Sequence, residues 1–431
     1  MLASIRNSEI FLISLAIFCQ SFFYLDWSFL ANSFDAISAT SSKHAVDTFL
    51  FSCFVVTFFG KIAGACFFGK CADKLSFFTV MQLMTAFSLC HSILILIIVN
   101  FGGDFYIIYK PLYFLKLLSG CLPYATAFLP AMYLFDRYSS SKRILVGACI
   151  MLAYFSSRFV SSYALVCYKP ITDTKFYSFI AIALGCVTFF IYAYLKKHSS
   201  SVFKTEPTKK YSYTLGSRAI CMLVGVGWNL GRIYYSYFMS PYMKDIAIIE
   251  NSALIPGNSL FFTENSALIL GNSLFFTVQL LFLLPAASIC KKYGTYQTLL
   301  MSLFYLAILG FLIPIFATTK SLLTVAIILL ALFSACLFVP ILTILYEVFK
   351  NTRNFFETLL WFAIGSSVSK LFFTLFCRHG FAAAKPLTSQ PVAGIAAFSI
   401  CIALCFAGVY YSQFLKRRCY TQSNFNSGTH A

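Results

Sequence analysis

Long apolar stretches separated by short polar segments run along almost the whole chain. A helix needs ~20 mainly apolar residues to cross the hydrocarbon core of a bilayer. Because backbone groups in lipid must be hydrogen-bonded within their own segment, each such stretch is predicted to be a helix. The pattern therefore predicts an all-α membrane protein with twelve transmembrane helices. They are expected at residues 9–31, 46–68, 77–99, 111–135, 144–167, 177–195, 218–240, 266–290, 297–317, 321–345, 355–377 and 391–414.

The composition supports this prediction. Of 431 residues, 60% are hydrophobic and only 11% are charged, and the mean hydropathy is +0.81. A soluble protein of this length needs more charged residues to cover its surface. The 16 cysteines lie mostly inside apolar stretches at irregular spacing. We interpret them as small packing residues, and we expect no metal and no cofactor.

Lysine and arginine are concentrated on one predicted side of the membrane. With the N-terminus in the cytoplasm, the cytoplasmic segments hold 19 of them and the outer segments hold 8. Cytoplasmic loops carry such an excess, so both termini are predicted to be cytoplasmic in a multi-pass protein of the inner (plasma) membrane. This asymmetry accounts for much of the net charge of +18. No nucleic-acid partner is therefore expected.

A polar, basic segment at 196–217 divides six predicted spans from six. The expected organisation is an N-terminal bundle at 1–195, this linker, a C-terminal bundle at 218–414 and a cytoplasmic tail at 415–431. The linker is expected to lie on an anionic membrane surface. Two similar bundles place a solute site at the interface between them.

One segment is duplicated. Glu250–Thr263 recurs as Glu264–Thr277, with differences only at Pro256 and Leu270. Two adjacent copies indicate a tandem duplication and not a solenoid, which requires several stacked units. We expect the first copy to form an extra outer loop or to lengthen the helix that follows.

The segment Lys61–Phe78 carries the most informative motif. Gly69, Asp73 and Lys74 are spaced Gly-x-x-x-Asp-Lys. Small residues allow two helices to approach closely, and a carboxylate can cap the positive end of a neighbouring helix. The spacing resembles the loop between helices 2 and 3 of major facilitator transporters, although the later Gly and basic residues of that pattern are missing. The preceding Gly-Ala-x-x-Phe-Gly resembles the lead-in of the metabolite:proton symporters, a branch containing proline/betaine, citrate and 2-oxoglutarate carriers.

Further matches lie in both halves. The segments 115–120 and 133–136 resemble the symporters' Arg-x-Leu-Gln-Gly and Tyr-Leu-x-Glu, and 346–353 resembles their Glu-x-Phe-Pro-x-x-x-Arg. Trp228 and Tyr234 loosely resemble their aromatic helix 7. The second copy of the loop motif, at 291–294, has Lys where Asp is expected. Residues 123–126 stand where the symporters have Gly-Gly-Glu. The identity of the family's substrate therefore cannot be assigned to this chain.

The resemblance implies a gating role for charged residues at the cytoplasmic helix ends. They would form one cluster that latches the N-terminal bundle and a counterpart in the C-terminal bundle. The alternative is ordinary solvated loop charge, which contributes ~0–1 kcal/mol per pair. The implied gating residues are Gly69, Asp73, Lys74, Asp136 and Arg143 in the first bundle and Glu347 and Arg353 in the second.

Charged residues inside membrane spans are functional candidates, because burying charge in lipid is costly. Away from the ends of the spans, five are basic and one is acidic, namely Lys61, Lys116, Arg158, Arg232, Lys370 and Asp26. Arg158, near the middle of its span, is the best candidate ligand for a substrate carboxylate. Arg232 and Lys116 follow, with Tyr234 and Trp228 as aromatic neighbours. Lys61 and Lys370 can instead extend to the membrane surface.

Asp26 is the candidate proton-coupling residue, since burial raises a carboxyl pKa. It lies in a segment that resembles the family's Glu-Trp-Tyr-Asp-Phe, but Phe23 replaces the Glu. The alternative is a salt bridge to one of the intramembrane bases.

Together these features predict a monomeric secondary active transporter, not an enzyme. It would move a small organic acid or zwitterion across the bilayer by alternating access, coupled to protons. The alternatives are an anion exchanger, an uncoupled facilitator, or a membrane sensor built on a transporter fold.

Overall fold

A computed structural model describes residues 2–21, 43–101, 105–167, 170–199, 215–234, 260–316 and 320–383, with Ala403 and Ala407 as isolated helical positions. All regular structure in these ranges is α-helical, as the sequence predicts. Asp26 and nearly all of the predicted span 391–414 lie outside the described residues. The helices are α1 Leu2–Ser21, α2 Lys43–Lys74, α3 Phe77–Phe101, α4 Phe105–Cys121, α5 Pro123–Arg137, α6 Ser140–Cys167, α7 Pro170–His198, α8 Leu215–Tyr234, α9 Leu260–Tyr293, α10 Thr295–Phe316, α11 Lys320–Thr352 and α12 Phe355–Ala383.

Within the described residues, six helical stretches are long and apolar enough to cross a membrane. They are Val55–Lys74, Phe77–Ile98, Tyr113–Arg137, Lys175–His198, Leu274–Tyr293 and Ser321–Thr352. The apolar described parts of four other helices are shorter, at Ser8–Ser21, Leu215–Leu230, Thr295–Leu309 and Phe355–Ser369.

The predicted loop after the second span is mostly helical. Helix α2 continues to Lys74, and only Leu75 and Ser76 separate it from α3. No proline or glycine interrupts the helix between Lys70 and Lys74, and the N–H of Leu75 donates to the carbonyl of Cys71 at 2.7 Å. Asp73 therefore lies on the last helical turn and is held more rigidly than a loop residue would be.

The predicted span 111–135 consists of two helices. Helix α4 ends at Cys121, and α5 begins with Pro123 at its first position. Proline has no N–H to donate, and its ring blocks the preceding turn, so it favours a helix start. Helix α5 then continues to Arg137, which places Asp136 on its last turn.

The duplicated segment lengthens a helix. Helix α9 begins at Leu260, inside the first copy, and its 34 residues correspond to about 51 Å at 1.5 Å per residue. This exceeds the ~30 Å hydrocarbon core. Residues 260–263 of the first copy therefore lengthen the helix that follows, which is one of the two expected outcomes. Residues 250–259 lie outside the described residues.

The two halves of the molecule are α1–α7 and α8–α12. Two helix pairs make the most extensive contacts between them, and α11 also packs on α5 and α6. Helix α2 packs along α12, and α6 packs along α9. Within the halves, α4 packs on α2, α7 on α3, α12 on α8, and α11 on α9 and α10. The candidate site lies where the two halves meet.

The crossing of α2 and α4 depends on glycine. A Cβ on Gly120 would lie 2.6 Å from the carbonyl oxygen of Thr57, and a Cβ on Gly60 would overlap that of Leu117. Only residues without a Cβ permit this approach, as in other tightly packed membrane helices. Any larger side chain here would force the two helices apart.

The ten cysteines whose side chains the structure describes are free thiols. Four are buried, namely Cys19, Cys221, Cys290 and Cys336, whereas Cys90 and Cys186 are exposed. The interpretation as packing residues therefore holds for only part of this set. Among the described residues, no group of three His, Cys, Asp or Glu is placed to hold a metal ion.

Candidate functional site

Asp73 caps the start of α12 from the other half of the molecule. Its Oδ1 accepts a hydrogen bond from the N–H of Phe355 at 2.8 Å, and its Oδ2 accepts one from the N–H of Phe356 at 3.1 Å. The first N–H groups of a helix have no partner within the helix, and the helix dipole favours a negative charge there. Asn354, the residue directly before α12, caps the same helix by accepting a hydrogen bond from the N–H of Glu357 at 2.9 Å. The two caps satisfy different donors.

Gly69 allows α2 to reach this position. A Cβ at Gly69 would lie 2.7 Å from the Cα of Phe356, closer than backbone atoms tolerate. One residue further along, the Nζ of Lys70 lies 5.2 Å from the centre of the Phe356 ring. The glycine of the motif therefore permits the contact that the aspartate makes.

Asp136 forms a second bridge between the halves. Its Oδ1 lies 3.3 Å from Nη2 of Arg353 and accepts a hydrogen bond from the hydroxyl of Tyr346 at 3.3 Å. The Asp136 side chain is fully buried, and that of Arg353 is 14% exposed. Removing one partner of a buried ion pair is strongly destabilising, by about 3–5 kcal/mol, because the other charge stays buried.

Arg353 occupies an unusual backbone conformation. Its φ is 51°, in the left-handed region that residues with a Cβ rarely adopt, at a cost of about 1–3 kcal/mol. This turn ends α11 and directs the chain into α12. The ion pair with Asp136 stabilises the strained residue, so strain and charge pairing coincide at one position.

Arg143 completes this group. Its Nε donates to the carbonyl of Phe135 at 2.7 Å, and its guanidinium lies 4.8 Å from the centre of the Tyr346 ring. We call Asp73, Asp136, Arg143, Tyr346, Arg353 and the first turn of α12 the latch cluster.

The structure does not separate the expected gating residues into one cluster per half, and their gating role stays a prediction. The latch cluster is one group that crosses the interface, because α5 packs on α11 and the left-handed turn brings Arg353 back to Asp136. Glu347 lies outside it and accepts from the hydroxyl of Tyr296 at 2.8 Å, beside a cavity of about 610 Å³. Lys74 is exposed at the end of α2.

A second charged group, separate from the latch cluster, was not indicated by the sequence. Glu9 on α1 accepts from the hydroxyl of Tyr133 at 2.8 Å and lies 3.5 Å from Nη1 of Arg137. The Tyr133 ring stacks on Phe77 with centroids 4.0 Å apart. This group joins α1, α3 and α5 within the first half. Glu9 matches no motif, so only the packing of α1 reveals its role.

Five aromatic side chains from both halves form an aromatic layer above the latch cluster. Trp228 on α8 lies 4.9 Å from Phe128 on α5 and 4.9 Å from Phe338 on α11. Phe338 lies 4.6 Å from Phe155 on α6, and Phe362 on α12 lies 4.4 Å from Phe128. All distances join ring centroids. The layer therefore joins α5 and α6 of the first half to α8, α11 and α12 of the second.

Two members of the layer lie equally far from the latch cluster along their helices. Phe128 precedes Asp136 by eight residues, and Phe338 precedes Tyr346 by eight. Each separation corresponds to about 12 Å along a helix at 1.5 Å per residue. Two sets of contacts between the halves, one charged and one aromatic, therefore follow one another along these helices.

Two intramembrane arginines follow the aromatic layer on the side away from the latch cluster. Arg158 comes three residues after Phe155 on α6, and Arg232 comes four residues after Trp228 on α8. Positions three or four apart lie on the same face of a helix. The backbone therefore places one arginine from each half one turn beyond the layer. Their side chains, and that of Tyr234, lie outside the description.

The remaining intramembrane bases lie elsewhere. Lys116 on α4 lies beside the buried His91 of α3, within the first half. Lys61 is half-buried on α2. Lys370 is on α12, and its side chain is outside the description. Of the predicted substrate ligands, Trp228 is thus in the aromatic layer, Arg158 and Arg232 are next to it, and Lys116 is separate.

Solved structures share this architecture at low sequence identity. The proton:xylose symporter XylE of the major facilitator superfamily, bound to 6-bromo-6-deoxy-D-glucose, is 11% identical, with a TM-score of 0.72 over 94% of this chain and 95% of that chain. A bacterial homologue of the iron transporter ferroportin, outward-facing with soaked iron, is 10% identical, with a TM-score of 0.69 over 93% and 98%. FucP, a major facilitator transporter in the outward conformation, is 14% identical, with a TM-score of 0.57 over 92% and 98%.

No family model and no curated protein matches the sequence. The structural likeness shows the fold, which is the major facilitator fold of twelve transmembrane helices in two six-helix bundles. Proteins with this fold carry different cargo, as the sugar symporter and the iron-transporter homologue illustrate, so the fold does not identify the solute. The resemblance to the metabolite:proton symporters stays a prediction.

Proposed function

We propose that this protein is a secondary transporter that moves a small organic acid or zwitterion by alternating access, coupled to protons. The observation that carries the proposal is the position of Arg158 and Arg232, one on each half, one turn beyond the aromatic layer. A solute at this height lies at the interface of the halves, where transporters of this type bind their cargo.

A negatively charged group is the best match for these positions. More than two residues from their ends, the predicted spans hold five basic residues and one acid. Each charge near the bilayer centre costs ~2.5–3.5 kcal/mol even on the insertion scale, which gives low values. Arginine grips both oxygens of a carboxylate in a bidentate pair. A carboxylate between Arg158 and Arg232 would offset part of the positive charge.

The latch cluster and the aromatic layer supply the gate. Their contacts join the two halves, so they exist only while this end of the bundle is closed. Contacts present in one state and absent in the other bias the equilibrium between the states. Gly69, Asp73, Asp136, Arg143 and Arg353 are therefore proposed as gating residues. Lys74 and Glu347 are proposed as peripheral to this gate.

Proton coupling is proposed for Asp26. It is the one acid that lies more than two residues from the end of a predicted span. A carboxyl that alternates between an apolar environment and a basic partner changes its pKa between the two states. Binding and release of a proton would then accompany the movement of the halves.

Uptake into proteoliposomes tests the proposal. Purified protein is reconstituted, and labelled organic acids, amino acids and betaines are supplied with and without an inward proton gradient. The expected result is saturable uptake of a carboxylate solute that the gradient accelerates, with empty liposomes as the control. Uptake that depends on a carboxylate trapped inside indicates an exchanger. Binding without any uptake contradicts transport and indicates a sensor.

A further inference from the structure

Several buried side-chain oxygens at the height of the proposed solute position lack a hydrogen-bond partner among the described residues. They include Oε1 of Gln279 on α9, Oγ of Ser334 on α11 and Oγ of Ser157, the residue before Arg158 on α6. Gln279 and Ser334 are each 1% exposed, and Ser157 is 0% exposed. Most buried polar side-chain atoms are hydrogen-bonded, so these partnerless oxygens require an explanation.

Ser334 lies just beyond the aromatic layer. It precedes Phe338 by four residues, so it lies on the same face of α11, one turn further from the latch cluster. Phe338 in turn contacts the rings of Phe155 and Trp228. The Ser334 hydroxyl is therefore at the height at which the backbone places Arg158.

Gln279 lies at a similar height on the neighbouring helix. Ala287 on α9 and Ala148 on α6 belong to one small buried cluster, which sets the register of these two helices. Gln279 is eight residues from Ala287, and Arg158 is ten residues from Ala148, both away from the latch cluster. At 1.5 Å per residue these separations are about 12 Å and 15 Å. The amide and the arginine position are thus close in height.

The chemistry of these atoms narrows the solute class. An amide Oε1 accepts hydrogen bonds and cannot donate them, so its partner must carry an N–H or O–H group. An ionised carboxylate is an acceptor only. A quaternary ammonium, as in a betaine, has no N–H. A plain carboxylate or a betaine therefore offers the Gln279 oxygen no donor of its own.

We infer that the solute carries a hydrogen-bond donor next to its carboxylate, as a hydroxy acid or an amino acid does, and that Gln279 and Ser334 recognise this donor. This inference rests on the proposed function and narrows its solute class. Sites built to bond a substrate O–H or N–H discriminate strongly against analogues that lack it, because the buried partner is then unpaired.

Matched solute pairs test the inference on the wild-type protein. Lactate is compared with propionate, glycine with glycine betaine, and proline with its N,N-dimethyl derivative, as competitors for uptake of the best labelled carboxylate. The expected result is that the donor-bearing member of at least one pair inhibits at a tenfold lower concentration. Equal inhibition within every pair overturns the inference and leaves carboxylate transport standing. If no carboxylate inhibits or enters, the proposed function itself fails.

Variants then assign the recognition to the two residues. Gln279→Met removes the amide at similar size, and Ser334→Ala removes the hydroxyl. Each should bring the inhibition ratio within the responsive pair towards one, with little effect on inhibition by the donor-free member. Ser302→Ala is the matched control, because the Ser302 hydroxyl already donates to the carbonyl of Thr298 at 2.7 Å. An unchanged ratio in both variants overturns the assignment, and if Gln279→Met does not fold, Ser334→Ala decides.

Discussion

The carboxylate of Asp73 accepts a hydrogen bond from the backbone N–H of Phe355 at 2.8 Å, although the residues are 282 positions apart in the sequence. This contact joins the end of α2 to the start of α12 and therefore one half of the molecule to the other. A helix cap supplied by another helix can be released without unfolding either helix. That property suits the gating role proposed for this contact.

Asp73→Asn should shift the protein towards the state in which the latch end is open. The substitution removes the negative charge at the helix N-terminus, an interaction of about 1 kcal/mol, or roughly a fivefold change in the ratio of the two states. The measurement is the rate of maleimide labelling of Leu359→Cys, a buried position one turn into α12, in a background without native cysteines. Labelling should be several-fold faster and turnover altered, with normal expression.

Lys74→Gln is the control for this measurement. Lys74 is next to Asp73 and is exposed, so its removal should leave the labelling rate close to the wild-type value. Equal labelling rates in the two variants, together with unchanged transport, would show that Asp73 is an ordinary solvated charge without a gating role.

Substitution within the pair of Asp136 and Arg353 should destabilise the closed state far more than substitution within an exposed ion pair. Asp136→Asn leaves the Arg353 charge buried, so the expected loss is about 3–5 kcal/mol from the closed state. The comparison is Arg218→Gln, since Arg218 is 39% exposed in its 3.3 Å pair with Glu357 and such pairs contribute ~0–1 kcal/mol. Thermal unfolding in detergent measures both. Similar losses of Tm in the two variants would contradict a special role for the buried pair.

The periodic apolar pattern predicted the helices well, because helix formation in a membrane depends on local composition. It misplaced the ends of α2 and α11, since both helices continue into polar residues that pack against the other half. The Asp73 motif was visible because its spacing is local. The pairing of Asp136 with Arg353 spans 217 positions, and no local pattern encodes it.

The aromatic layer could not be predicted from the sequence for a different reason. The chain contains 51 phenylalanines, so no single one is conspicuous in the sequence. Only the packing of α5, α6, α8, α11 and α12 brings five of the aromatic side chains together. The role of Glu9 was missed because its partners lie on α5, more than 120 residues away.

Deleting Glu250–Thr263 should leave insertion and transport close to normal. The second copy, Glu264–Thr277, lies wholly within α9 and supplies almost the same sequence, and changes of loop length cost little free energy. The measurement is the yield of folded protein and the initial rate of uptake, both compared with the full-length chain. Loss of either would show that the duplicated segment is structural or functional.

Reporter fusions test the topology on which the orientation of the gate depends. A reporter that is active only in the cytoplasm should be active when fused after Lys416 or inserted within 198–208, since both segments are predicted to be cytoplasmic. The same reporter should be inactive when it is inserted within 250–259. Activity at the third site would contradict the predicted orientation of the helix that follows.

The most direct test of the carboxylate site is uptake of a carboxylate and of its neutral amide by the wild type and by Arg158→Gln. The wild type should take up the carboxylate and not the amide. Arg158→Gln should lose carboxylate uptake by about a hundredfold, as expected when one partner of a buried charge pair is removed, without gaining amide uptake. Arg158→Lys keeps the charge but loses the bidentate geometry, so its loss should be smaller. A wild-type protein that binds neutral sugars or organic cations and ignores every carboxylate tested would contradict the account, and Arg158 would then be a structural charge.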